Sequence, residues 1–184
     1  MRVKSAALSK AIACAATLKR EDRGVAAIEF AIFVGMLSLA LLNAADIGVY
    51  IYQRMEVENA TEMGVQAVWK NCDFSQLPAT TSCPAMSAAV KRAVQSTSLG
   101  TKVTLQAGSP AEGYYCVNAS NALQYMSDIS SKPADCTAAG TPTLQPGDYI
   151  QIGTTYSYAP MFPGITVASA FTTPILRTAL MRLE

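Results

Sequence analysis

The amino-acid sequence predicts an α+β protein in which a long N-terminal helix, its inner half transmembrane, packs on a small antiparallel sheet stapled by disulfides. Three observations carry this. The run Val25 to Ala45 is apolar in character and uncharged except for Glu29, and a helical period continues beyond it. At Asn71 the composition shifts to Pro, Ser, Thr, Gly and Asn, punctuating short alternating segments. Four of the five cysteines lie beyond that shift.

Residues 1–24 read as a basic cytoplasmic leader. Arg2, Lys4, Lys10, Lys19, Arg20 and Arg23 face only Glu21 and Asp22, a net charge of +4. Residues 25–45 follow as the transmembrane half of the helix. As a helix these 21 residues extend about 31 Å, enough to cross a hydrocarbon core of about 30 Å. Asp46, Glu56, Glu58 and Glu62 come after the run, so the positive-inside bias places the N-terminus in the cytoplasm and everything past Ala45 outside. A secretory signal peptide fits less well, because the basic segment is long, the apolar run exceeds about 15 residues and a glutamate interrupts its start. The core helix of a soluble protein fits less well again, since the run nearly matches a full span and ends without a cap.

Glu29 is the costly residue. A charge within a span carries about 2.5–3.5 kcal/mol of unfavourable insertion energy, so it needs either a partner or a position at the headgroup boundary.

Residues 46–70 read as the outer half of the helix. Tyr50, Val57, Ala60, Gly64 and Val68 mark one face, and Arg54, Glu58 and Glu62 another. Ala60 and Gly64 are small enough for another backbone to approach. That leaves open whether the face packs on other subunits or on the protein's own sheet. Arg54 and Glu58 are spaced as an i, i+4 pair worth about 0.2–0.5 kcal/mol, which marks a solvated face.

Residues 71–184 read as one extracytoplasmic α+β domain. Pro84 to Thr97 has helical spacing, with Met86, Ala89, Val90, Ala93 and Val94 on one side and Lys91, Arg92 and Gln95 towards solvent. Strands are expected over Thr101–Gln106, Gly113–Val117 and, most strongly, Asp148–Tyr158 after the Pro146-Gly147 turn. Asn118 to Ile129 reads as a short helix or an irregular loop. Thr166–Thr173 and Ile175–Leu183 are expected to close the domain as a strand pair or hairpin.

Cys14 lies in the leader, leaving Cys72, Cys83, Cys116 and Cys136. An even count in an oxidising compartment reads as disulfides. Three connectivities are possible; Cys72 with Cys83 and Cys116 with Cys136 are preferred because each closes a local loop. A bridge closing about 15 residues contributes about 3 kcal/mol. Zinc is disfavoured by the absence of any Cys-x-x-Cys pair and of histidine, and no metal or cofactor is expected.

Catalysis finds no constellation. Without histidine there is no Ser-His-Asp or Cys-His arrangement, Asp128, Asp135 and Asp148 are scattered through turn-rich sequence, and Gly113 and Gly140 stand alone rather than in a phosphate loop. A net charge of +1, or −3 once the leader is set aside, leaves no nucleic-acid footprint. Tyr114, Tyr115, Tyr149, Tyr156 and Tyr158, with Met161 and Phe162, read mainly as sheet core and cross-strand pairs, the alternative being an aromatic binding surface.

The stretch Arg23-Gly-Val-Ala-Ala-Ile-Glu-Phe-Ala, followed by Asp46-Ile-Gly48, Asn59-Ala60 and Gly64, resembles the TadE-like minor pseudopilins of the tight-adherence (Tad/Flp) pilus, a type IV pilus system. The ending Leu-Arg-Thr-Ala-Leu-Met-Arg is similar to the closing strand of such proteins, a looser match. Gly35 stands where many family members have a proline, so the expected kink is not supported here.

The resemblance implies a pilin-like fold and no enzymatic activity. It also implies cleavage by a prepilin peptidase after Gly24, which makes Val25 the mature N-terminus and Glu29 its fifth residue, next to Phe30. The new α-amino group would carry positive charge and pair with Glu29 of the same or a neighbouring subunit. Implied partners are the peptidase, other pilin or pseudopilin subunits, an inner-membrane assembly platform and membrane lipid. The implied location is the bacterial inner membrane, with the C-terminal domain periplasmic or at the cell surface within a pilus serving adhesion or biofilm formation. The alternative is an uncleaved single-span protein whose outer domain binds a ligand or surface.

Overall fold

The computed structural model describes residues 22–73, 75 and 77–184; the expected leader, up to residue 21, and Cys14 lie outside them. Helix α1, Asp22–Asn71, runs unbroken for 50 residues, as a sequence with no proline before Pro78 allows. Its end is satisfied locally. Asn71 Nδ2 donates to Ala67 O at 2.7 Å, the Cys72 amide to Val68 O at 3.0 Å, and Lys70 in the last turn complements the helix dipole.

The chain divides into two units, residues 1–45 and 46–184. In the first, α1 is long and apolar enough to cross a membrane, with a mean hydropathy of 2.4 over its most apolar window and none of that window buried. Val25, Phe30, Phe33, Met36 and Leu41 are all exposed. Polar side chains in the run bond back into the helix: Ser38 Oγ to Val34 O at 2.7 Å and Asn43 Nδ2 to Leu39 O at 2.8 Å. This is how such groups are satisfied where water is absent.

The second unit is the α+β body. After the outer half of α1 come the short helices α2 (Ala79–Ser82) and α3 (Met86–Val94), then β1 (Thr104–Leu105), β2 (Ala111–Val117), β3 (Leu123–Asp128), β4 (Gly147–Tyr156) and β5 (Ile175–Arg182). All pairings are antiparallel, and β4 is the central strand. It pairs with β5 along its length, from Tyr149↔Arg182 to Tyr156↔Ile175, and with β2 and β1 in succession along its other side; β3 adds outside β2.

The core lies where α1 and α3 cover β4. Alternation puts Ile150, Ile152 and Thr154 on one sheet face, fully buried, against Val57, Ala60, Thr61 and Val68 of α1 and Val90 and Val94 of α3. Gly64 is the point of closest approach. A Cβ there would lie 2.9 Å from Val94 Cγ2 and 3.1 Å from Ile152 Cγ2. Beside it, Thr61 gives its hydroxyl proton to Val57 O (2.7 Å), so the 2.6 Å contact between the Thr154 and Thr61 hydroxyls has Thr154 as donor.

Disulfides join Cys72 to Cys83 and Cys116 to Cys136, each with Cα atoms 5.6 Å apart. The first ties the end of α1 to the segment leading into α3; the second ties β2 to the loop before β4.

Four local expectations are corrected. Only Thr104–Leu105 of the Thr101–Gln106 segment is strand, because Gly100–Lys102 forms a 3₁₀ turn that delivers Val103 to the core. Within Asn118–Ile129 the chain forms β3 rather than a helix or loop; none of its side chains is buried, so the sequence shows no inside–outside alternation. Thr166–Thr173 is not the strand partner of β5. Val167–Ala170 is a 3₁₀ turn, and β5 pairs with β4 instead. Helix α3 is also shorter than Pro84–Thr97, with Ser96–Leu99 taken up by turns.

Candidate processing and assembly segment

Gly24, Val25, Glu29 and Phe30 lie in the first turns of α1. Val25 and Glu29 are four residues apart and so share a face. Val25 and Phe30 are 58% and 69% exposed, nothing lies within 4 Å of a Cβ built on Gly24, and Glu29 makes no ion pair among the described residues. The segment thus offers a carboxylate without an ion pair among the described residues, beside an exposed apolar surface.

Asp46, directly after the apolar run, is a carboxylate that accepts four hydrogen bonds, and it is fully buried. Its Oδ1 accepts from Tyr158 OH at 3.1 Å and the Met161 amide at 2.9 Å; its Oδ2 accepts from the Phe162 amide at 3.4 Å and from Thr166 Oγ1. Burial by itself would raise the carboxyl pKa, but the bonds from Thr166, Met161, Tyr158 and Phe162 outweigh it and hold Asp46 below the ordinary carboxylate range. Tyr158 answers in the opposite sense. Burial, then its bond to Asp46 and the Asp46 charge, push the phenol up to about 12.

One turn on, Tyr50 packs edge-on against Tyr158 (centroids 4.9 Å apart) and against Phe171 at 4.6 Å. Asp46 and Tyr50 therefore grip the same 158–171 segment from one helix face. The sequence reading used Asp46 as a motif residue and as one of the acidic residues after the run, not as a buried site. A usable signal was present, a lone carboxylate and a tyrosine at i, i+4 opposite a long uncharged segment.

Of the helix-packing set, Val57, Ala60, Gly64 and Val68 lie in the protein's own core, with Tyr50 half-buried at its margin. This is the arrangement of a helix docked on its own sheet. Another part of α1 remains uncovered: Ile51, Tyr52 and Met55 are each more than half exposed. The spacing-based Arg54–Glu58 pair is corrected, because Glu58 meets Arg177 Nε of β5 at 3.6 Å. Glu56 accepts from Ser98, at 2.6 Å from the hydroxyl and 3.2 Å from the amide.

The tyrosines fall mainly into the sheet. Tyr156 and Tyr158 are buried, and Tyr115 contacts Tyr125 and Tyr149 with centroids 5.4 and 5.5 Å apart. Met161 is 58% exposed. A second acidic site, unforeseen from sequence, joins β2 and β4. Glu112 accepts from the Ala79 and Thr80 amides at 2.8 and 2.7 Å, and the buried Asp148 hydrogen-bonds to Glu112 while its Oδ1 has no partner. Burial, then Glu112 and Glu184, push Asp148 up to about 6, with Lys132 opposing.

Residues 24–66 match the family model described as TadE-like protein, which bears out the resemblance over the apolar run and the first part of the packed helix. No curated protein and no solved structure matches the chain.

Proposed function

We propose, from the TadE-like segment at residues 24–66, that this chain is a minor pseudopilin, a structural and non-enzymatic subunit or assembly primer of a tight-adherence pilus serving adhesion or biofilm formation. One observation carries the reading. The family match begins at Gly24 and opens on an exposed apolar helical segment whose fifth residue after that glycine is a carboxylate with no ion pair among the described residues.

In this account the leader is cytoplasmic, residues 25–45 store the subunit in the inner membrane, and the disulfide-stapled body is periplasmic. A prepilin peptidase cuts between Gly24 and Val25. The new amine and Glu29 then neutralise each other within or between subunits, relieving two charges that lipid disfavours and setting the vertical register of the helices. Extraction by the assembly platform exchanges lipid contacts of Val25, Phe30 and their neighbours for contacts with other pilin helices.

The test is a Glu29→Ala subunit expressed in the native host. Membrane level and leader removal should equal wild type, while the amount recovered in sheared pili falls on the order of tenfold, the effect of losing about 1.4 kcal/mol of pairing. Incorporation at the wild-type level would overturn the proposal.

A further inference from the structure

Glu112 pairs with Ile150 and Tyr114 with Asp148, so the Glu112 and Asp148 carboxyls are diagonal neighbours on the sheet face that carries Ile150. Both oxygens of Glu112 are in use as acceptors. Oε1 takes the Ala79 amide at 2.8 Å, and Oε2 takes the Thr80 amide at 2.7 Å and its hydroxyl at 2.6 Å. Asp148 is 3% exposed and hydrogen-bonds to Glu112, while its Oδ1 has no partner among the described residues. Two carboxylates bond to each other only through a proton. Since Glu112 is occupied as an acceptor, Asp148 is the member that carries the proton and donates it.

What this pair holds is the turn Leu77–Cys83. Helix α2 has four residues and no side-chain cap of its own, too short to persist unaided, and its first two amides both go to Glu112. Its far end is fixed covalently: the Cys83 amide donates to Ala79 O at 3.0 Å, and Cys83 is bridged to Cys72 at the end of α1. The turn is therefore clamped at one end by a titratable pair and at the other by a disulfide, over a buried Ala79 and a Leu77 packed on the core. Glu184, past β5, and Lys132, after β3, are the other charges that act on Asp148, and they meet each other at 3.5 Å. Lys132 also lies 5.5 Å from the centre of the Tyr114 ring, and Arg182 Nε bonds to the Glu184 carbonyl. Helix α2 supplies no charged side chain. The nearby cation is thus shared with Glu184 and does not neutralise a second charge on the pair.

We propose that Glu112 and Asp148 form a pH-sensitive latch on the Leu77–Cys83 turn, closed while the pair holds one proton and loosened when that proton is lost. Once both carboxyls are charged, the pair repels itself in a buried site, and the strain is relieved by Glu112 releasing the Ala79 and Thr80 amides. The disulfide keeps the opening local, so the turn lifts without unfolding the sheet. The sign follows from burial and from Glu112 and Glu184, which hold the Asp148 carboxyl at about 6 in the closed form. In the opened form it returns towards the ordinary value of about 4. The latch is therefore at full strength below about pH 4, weakens as pH rises from about 4 to 6, and stays loose above. All its parts belong to the unit 46–184, so the proposal does not depend on how residues 25–45 are read.

Amide hydrogen exchange resolved by NMR on the detergent-solubilised full chain, from pH 4 to 7.5 and with low urea added at each pH, provides the test. After correction for the intrinsic rate, protection of Ala79 and Thr80 should fall on the order of tenfold across this range, the equivalent of one pKa unit relieved on opening. Their exchange should be faster than that of β4 amides and nearly independent of urea, the mark of a local opening. In Asp148→Asn, whose amide donates to Glu112 at any pH, protection of both amides should stay level. Two surface variants move the midpoint in opposite directions: Glu184→Gln lowers it by removing a like charge, and Lys132→Met raises it. Protection of Ala79 and Thr80 that is independent of pH in wild type would overturn the latch, whatever the variants do. So would a fall that appears only through global unfolding, with the two amides matching β4 in rate and in urea dependence, or a fall that persists unchanged in Asp148→Asn.

Discussion

The Tyr158 hydroxyl donates to Asp46 Oδ1 across 3.1 Å, joining the residue that ends the apolar run to the loop that follows the central strand. Around this bond the outer half of α1 and the loop after β4 pack together, since Tyr50 holds the same tyrosine ring from one turn along.

Asp46→Ala should therefore release the loop. In detergent-solubilised full chain, hydrogen exchange at the Met161 and Phe162 amides should accelerate markedly, while amides in β4 keep their protection. The pH dependence has a definite sign. The folded pKa of Asp46 is depressed, so its contribution is present above about pH 4, the unfolded value, and is lost as pH falls through the folded one. Acid should loosen this loop in wild type and change little further in the variant.

Asp148 behaves oppositely. Its folded pKa of about 6 exceeds the unfolded value near 4, so the folded chain holds the extra proton between these limits and stability falls as pH rises from about 4 to 6. Above that window the buried charge is a cost. Asp148→Asn, whose amide can donate to Glu112 at any pH, should raise stability at pH 7.5 by about 1 kcal/mol after allowance for screening by Lys132 and solvent, with the difference vanishing below pH 4. Denaturant midpoints across pH 3.5–8 check this.

Gly64→Leu should destabilise the body by about 1–3 kcal/mol, because the added atoms meet Val94 and Ile152 where only hydrogen fits. Ile152→Ala should cost about 2–5 kcal/mol through the cavity left under α1. Thermal or denaturant unfolding of both variants measures whether helix and sheet share one core.

Replacing both Cys116 and Cys136 by serine removes a bridge with a sequence separation of 20 and should cost about 3 kcal/mol. Reductant should lower the stability of wild type more than that of the double variant.

The long helix, the antiparallel sheet and the cysteine pairs were legible because each rests on a strong local signal: an apolar run of bilayer length, β-branched and aromatic alternation in β4, and short spacings between cysteines. Strand β3 was not, because an edge strand with no buried side chain carries no alternation. The 166–173 segment misled for a different reason. Its Thr166 hydroxyl is committed to Asp46, a contact 120 residues distant in sequence, and the chain turns there instead of extending. The Asp46 and Asp148 sites were hidden likewise, since burial of a carboxylate depends on partners supplied by remote loops. The small-residue face at Ala60 and Gly64 was visible, but spacing alone left its partner open.

The central claim is prepilin-type processing, and intact mass with N-terminal sequencing of the protein from its native membrane, without reductant, tests it most directly. The account predicts a chain that begins at Val25 and is lighter than its reduced form by the hydrogens lost in forming two disulfides. A chain that retains Met1 would contradict it, because the amine proposed to meet Glu29 would not exist.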